Sequence, residues 1–155
     1  MEYGIELPNP GELATPKNFR ALARHAEDLG YDSLWASDHV IIPREIESAY
    51  PYSSDGSNAF DKTQPYVEPL TTLSYLAGYT QTIKLGTWVL IVPYRNPVLV
   101  AKMVANMDYF SDGRIILGVG VGWMEEEFNV LKTANYRERG AVTDEYIRIY
   151  KALWT

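Results

Sequence analysis

The sequence predicts an α/β protein built on a parallel sheet, and three observations carry that expectation. Short apolar runs alternate with amphipathic segments four times along the chain. One run, Ile83 to Val92, is nearly all apolar, as a strand covered on both faces should be. The residues capable of chemistry gather just after the runs, at the carboxyl ends where parallel α/β proteins keep their ligands. Alternation of this kind means strands joined by helical crossovers. Four such units make a small open sheet or half of an eight-fold barrel.

In chain order, Tyr3-Gly4-Ile5-Glu6-Leu7 alternates and stops at Pro8-Asn9-Pro10-Gly11, a first strand and its loop. Thr15-Pro16 is a helix cap followed by proline at the first helical position. Phe19, Leu22, Ala23, Ala26 and Leu29 then share a face, and Gly30 closes the helix. Ser33 to Ser37 is a second strand, ending at Asp38-His39. Residues 43–67 are polar and aperiodic, and are expected to form an insertion over the ligand face, a lid or a loose excursion. Leu70, Leu73, Leu76 and Ala77 mark a helix over 69–81, followed by the third strand. Asn96-Pro97 caps a third helix that ends at Ser111-Asp112-Gly113. Met124 to Leu131 reads as a short helix or turn, and Thr143 to Trp154 as a last amphipathic helix.

The fourth run, Asp112 to Trp123, opens on a turn signal and ends with glycines at every second position, Gly118, Gly120 and Gly122. Such glycines leave one strand face without side chains, so a flat ligand or another backbone can come close. They do not form a dinucleotide fingerprint. That motif belongs to a first strand, and its third glycine would fall at Trp123.

Bulk composition narrows the function classes. The chain has 155 residues, 46% of them hydrophobic and 22% charged, with net charge −6. An acidic protein of this size suits a small-molecule partner and excludes nucleic acid and anionic membrane surfaces. There is no cysteine and there are two histidines, so neither a disulfide nor a metal site is expected. No apolar run approaches the roughly 18 residues of a membrane span. Glu2 and Glu6 stand where a secretory leader would begin, and the expected location is cytoplasmic.

Among candidate residues, His39 follows a strand directly, beside Asp38. An imidazole moves protons near neutral pH, and a neighbouring carboxylate would steady it; the pair could equally cap the following loop. His25 sits mid-helix as a surface or packing residue. Arg95 offers a guanidinium to an acidic ligand or simply enters a helix. Asp144 and Glu145 suit a helix dipole. Arg137 and Arg139, with Gly140, form a basic loop that holds a phosphate or is solvated.

Six motifs stand in order: Trp35-Ala36-Ser37-Asp38-His39, Ile83-Lys84-Leu85-Gly86-Thr87, Pro93-Tyr94-Arg95-Asn96-Pro97-Val98, Ser111-Asp112-Gly113-Arg114, Leu117-Gly118-Val119-Gly120-Val121-Gly122-Trp123, and Arg139-Gly140 with Asp144-Glu145-Tyr146. Together they resemble the luciferase-like monooxygenase superfamily, especially its branch dependent on the deazaflavin coenzyme F420. The resemblance runs essentially from Tyr3 to Thr155.

It implies a TIM (β/α)8-barrel type of fold, of which residues 1–155 would be the N-terminal half, about the first four βα units. It also implies hydride transfer between coenzyme F420 and an unknown small organic substrate. FMN with oxygen, in a monooxygenase, is the alternative cofactor. By the same resemblance Asp38 and His39 line the ring, with His39 the catalytic residue. Trp88 and Val89 carry a non-prolyl cis peptide behind the ring, and Val121 and Gly122 lie along the cofactor. Sugar-phosphate dehydrogenases of this branch place a glutamate acid/base after the last glycine. Here that position is Trp123, which puts that activity in doubt and offers a stacking surface instead. A full barrel takes about 250 residues. The expectation is therefore either a truncation or two copies completing one barrel, as a homodimer or higher self-association. A catalytically silent assembly module is the rival reading.

Overall fold

The computed structural model describes residues 1–57 and 61–155. Strand β1 (Gly4–Glu6) leads through helix α1 (Pro16–Asp28) to β2 (Ser33–Ala36), and a long connection leads to α2 (Pro69–Ala77) and β3 (Lys84–Thr87). After β4 (Leu90–Ile91) and a 3-10 turn at Val92–Tyr94 come α3 (Pro97–Phe110), β5 (Ile115–Ile116) and β6 (Val119–Gly120). Helix α4 (Glu125–Leu131), a 3-10 turn at Tyr136–Glu138 and α5 (Arg139–Trp154) complete the order. The sheet runs β1-β2-β3-β5, and β4 pairs with β6. Among the described residues, every strand pairing is parallel.

The helix starts follow their caps. Thr15 Oγ1 accepts from Asn18 N, and Asn96 Oδ1 accepts from Val98 N and Leu99 N. Helix α1 runs out at Gly30, whose φ of +78° needs glycine. The α2 helix ends at Ala77 rather than Gln81, because Gly78 stops it and Thr80 turns back to bond Leu76 O through both its N–H and its hydroxyl.

One face of the sheet carries the core. Leu34 and Leu85 are buried against Phe19, Leu73 and Val104 of the surrounding helices. On the opposite face the Trp35 indole lies across the sheet. A Cβ built at Gly4 or Gly86 would come within 2.4 or 2.5 Å of its ring atoms, so only glycine fits beneath it.

The third and fourth runs differ from simple strands. The peptide between Trp88 and Val89 is cis, at the position the resemblance indicates, and it divides the third run into β3 and β4. The fourth run divides correspondingly into β5 and β6, with Thr87 Oγ1 and Leu90 N both donating to Gly118 O across the break. The last helix starts at Arg139, not Thr143. The expected basic loop is therefore partly helical: Arg139 stacks its guanidinium 4.0 Å from the Tyr136 ring centroid and donates to Gly122 O and Tyr136 O.

The 43–67 insertion is tied down on both sides. Glu47 N, Ser48 N and the Ser48 hydroxyl all donate to Glu126 at the start of α4. At the far side Val67 N donates to Asn9 O and Gly11 N donates to Pro65 O. Within this stretch residues 58–60 lie outside the described residues.

Candidate functional site

The carboxyl ends of β2, β3 and β6 meet α4 and the returning insertion. Two polar nodes are buried there, and each begins with one of two adjacent residues.

The first node belongs to Asp38. Arg95 donates from Nη1 to Oδ2 and from Nη2 to Oδ1, each at 2.7 Å, and Ile91 N adds a bond to Oδ2 at 2.8 Å. Arg95 Nη2 also donates to Glu68 Oε1 at 2.9 Å. Burial pushes the Asp38 carboxyl above its ordinary range, while the two-pronged guanidinium and the Ile91 N–H pull the other way. The Asp38 side chain thus holds β4 and the entry to α3. It does not steady His39, contrary to the expectation from adjacency. Arg95 is likewise engaged by two carboxylates within the protein rather than poised for an acidic ligand.

The second node belongs to His39. Its Nδ1 lies 2.6 Å from Glu127 Oε2. Glu127 Oε1 accepts from Val40 N at 2.7 Å and from Ile41 N at 3.0 Å. Glu127 is fully buried, so its carboxyl oxygens meet protein groups rather than solvent. Tyr94 stands beside this carboxylate, and burial together with the Glu127 charge pushes its phenol upward. The His39 ring meets Tyr66 and Trp123 edge-on, at centroid distances of 5.4 and 6.2 Å. Tyr50 of the insertion meets Trp123 in turn at 5.2 Å. Burial pushes the Tyr66 phenol up to about 12, so it stays protonated, and it donates to Ser37 Oγ. A cavity of about 380 Å³, walled by Tyr50, Tyr66, Ile42 and Gln64, opens next to these rings.

The alternating glycines turn out to accommodate the neighbouring strand. A Cβ on Gly118 would lie 2.2 Å from Thr87 O, and one on Gly120 would lie 2.4 Å from Val89 Cγ2. Gly122, at φ +80°, faces Ile91 and the Phe128 ring. The space beside these glycines is taken by the Thr87 carbonyl and by the Val89, Ile91 and Phe128 side chains, so the close approach here is of the protein's own atoms. What remains accessible is apolar: Trp88 is 62% exposed, Val121 44% and Val89 38%.

Of the expected site residues, His39 and Trp123 come together, and Trp88, Val89 and Val121 form exposed surface on neighbouring strand ends. His25 is exposed on α1, away from these elements. Sequence reasoning missed Glu127, Glu68, Tyr50 and Tyr66. For Glu127 a signal existed: it shares the spacing of Met124, Phe128 and Leu131, which places an acid on the apolar side of α4. Among the described residues, no group of three or more His, Cys, Asp or Glu side chains is placed to hold a metal ion. No helix among them is long and apolar enough to cross a membrane.

The family model for luciferase-like monooxygenases matches residues 1–155. The chain belongs to the luciferase-like monooxygenase family. An uncharacterised Mycobacterium tuberculosis protein is 32% identical over 155 residues, which is 100% of this chain and 54% of that protein. An F420-dependent glucose-6-phosphate dehydrogenase of Amycolatopsis mediterranei is 33% identical over 143 residues, 90% of this chain and 38% of the enzyme. In fold, this luciferase-like chain is similar to the oxygenating constituent of 3,6-diketocamphane monooxygenase from Pseudomonas putida, solved with FMN. The TM-score is 0.72 at 19% identity, covering 99% of this chain and 39% of that one. The family thus includes F420-dependent and FMN-dependent members, and its solved TIM-barrel monooxygenases share this chain's parallel α/β architecture. The chain spans about half the length of the curated relatives it matches.

Proposed function

We propose that this chain forms the ring-binding half of an F420-dependent oxidoreductase that transfers hydride to or from a small organic substrate. The observation that carries the reading is an accessible apolar floor beside a buried proton-handling side chain. Trp88, Val89 and Val121 give a planar, largely apolar ring a surface to cover, and His39 lies in the polar node at the same end of the sheet. Deazaflavin, when bound, supplies the hydride chemistry.

The chain's own residues do the rest. Trp88, Val89 and Val121 exclude water from one side of the ring site. His39 holds or moves a proton at Nε2, with Glu127 fixed on Nδ1. Trp123 packs at right angles to the His39 ring and has no acid/base group, which favours a substrate other than the sugar phosphate named for the Amycolatopsis relative. The 33% identity to that F420-dependent enzyme supports F420 over FMN.

Self-association is proposed as well. Among the described residues β1 and β5 are the open edges of the sheet, and Trp35 lies on the face that the helices leave uncovered. Light scattering of the purified chain tests this: a defined dimer supports it, and a clean monomer rejects it.

The decisive experiment is a fluorescence titration with coenzyme F420 and, separately, with FMN. Saturable F420 binding, weakened at least tenfold by Val121→Asp, is expected. Saturable binding of FMN alone would transfer the site to flavin. No binding of either, in folded protein, would sink the proposal.

A further inference from the structure

We propose that Glu127 is a positioning residue: it fixes the proton of neutral His39 on Nδ1 and so sets Nε2 as the ring nitrogen that carries the lone pair. The inference deepens the proposed function, and rests on it only for its consequence in turnover. The geometry leaves few other arrangements. Backbone N–H groups can only donate, so the bonds from Val40 N and Ile41 N commit Glu127 Oε1 to accepting. The second oxygen, Oε2, is 2.6 Å from His39 Nδ1. With Glu127 ionised, that contact requires the proton on Nδ1. Charge-assisted bonds of this kind are short and strong, which suits the distance.

The same three bonds make the node a lock on the loop. Glu127 sits on α4, while His39, Val40 and Ile41 are consecutive residues leaving β2. One carboxylate therefore sets the ring's tautomer and the backbone that aims it. The adjacent Glu126 grips Glu47 and Ser48 further along the same segment, so α4 holds this stretch at two points. Tyr66 and Trp123 also pack against the ring at right angles.

Ring nitrogen NMR on histidine-labelled protein tests this directly, since only two histidines exist and exposed His25 serves as an internal reference. In its neutral form, wild-type His39 should show a protonated Nδ1 and an unprotonated Nε2. Glu127→Gln should invert that pattern. A glutamine whose carbonyl keeps the Val40 and Ile41 bonds turns its amide N–H toward Nδ1, which must then accept. A neutral wild-type His39 protonated on Nε2 and not on Nδ1 would overturn the proposal, because Glu127 would then be the donor. An unchanged tautomer in folded Glu127→Gln would overturn it too.

If Glu127→Gln does not fold, the wild-type spectrum still decides the tautomer, and two isosteres test that the contact is made at the Nδ1 position. His39→Asn keeps a donor near the Nδ1 position and should melt close to wild type. His39→Gln offers its amide at the Nε2 position and should lose thermal stability. The reverse order would reject the assignment. None of these readouts needs a cofactor, so failure of the F420 titration leaves them interpretable. If turnover is established, Glu127→Gln should lower kcat much more than it raises the KM for cofactor.

Discussion

Both ends of the sheet use charged side chains to catch loop backbone, but they differ in what those charges finally meet. At the amino end Arg114 donates to the carbonyls of Ala77, Thr80, Ile83 and Ser111 and to the Thr80 hydroxyl. Close by, Glu27 accepts from the N–H groups of Gln81, Thr82 and Ile83. There the charges mostly end on main chain. At the carboxyl end the equivalent grips are Arg95 on Asp38 and Glu127 on Val40 and Ile41, and one of them also holds an imidazole. The first arrangement only stabilises. The second stabilises and also fixes a group that can exchange a proton, next to exposed apolar surface. That difference, rather than the presence of buried charge, is what supports the proposed site at the carboxyl end.

Four substitutions would break or sharpen the contrast. The largest effect is expected for Arg95→Met. It leaves buried Asp38 without its cation and should cost about 3–5 kcal/mol in urea unfolding. A loss under about 1 kcal/mol would mean that the Asp38 node is not the keystone of its end. Arg114→Met, the counterpart at the amino end, orphans several carbonyls and should cost about 2–3 kcal/mol, with cofactor affinity unchanged in the surviving folded protein. Altered affinity would erase the distinction between the ends.

Gly118→Ala strikes where the two ends join. Its Cβ would meet Thr87 O at 2.2 Å, a backbone atom that cannot swing aside. Overpacking of this kind costs about 1–3 kcal/mol. A melting temperature equal to wild type would show that the β3–β5 pair can shift freely.

The smallest effect belongs to Glu27→Gln. Partial burial pushes the Glu27 carboxyl up, but the N–H bonds from Thr82, Ile83 and Gln81 outweigh it and hold the group below the ordinary 4.5. A lowered carboxyl stabilises the fold above its unfolded value and loses that contribution as pH falls through its folded value. Wild type should therefore exceed the variant by roughly 1 kcal/mol near neutral pH, a figure already reduced for solvent screening. The gap should close below the ordinary value of 4.5. A gap that widens in acid would reverse the assigned sign.

Much of the scaffold was legible because its signals are local. Thr15-Pro16, Asn96-Pro97 and Gly30 mark helix ends through bonds that span only a few residues. The apolar stripes of α1 and α2 face the core because their period matches the helix turn. Cap and periodicity depend on neighbours in sequence, so the sequence alone determined the βα alternation, the parallel sheet and the concentration of polar residues at one end. It also drew attention to His39. The tertiary structure decided what His39 is bonded to. Asp38 precedes it by one residue, yet successive side chains leaving a strand point to different sides. Asp38 therefore meets Arg95, 57 residues on, and His39 meets Glu127, 88 residues on. Likewise the glycines of β6 and its flanks read as room for either a flat ligand or close packing, and the fold decided for packing by putting Thr87, Val89, Ile91 and Phe128 against them. The spacing within α4 can mark Glu127 as a buried acid, but no local pattern pairs it with His39, because such partners are chosen by the crossovers that bring α4 and the β3–α3 connection over the end of β2.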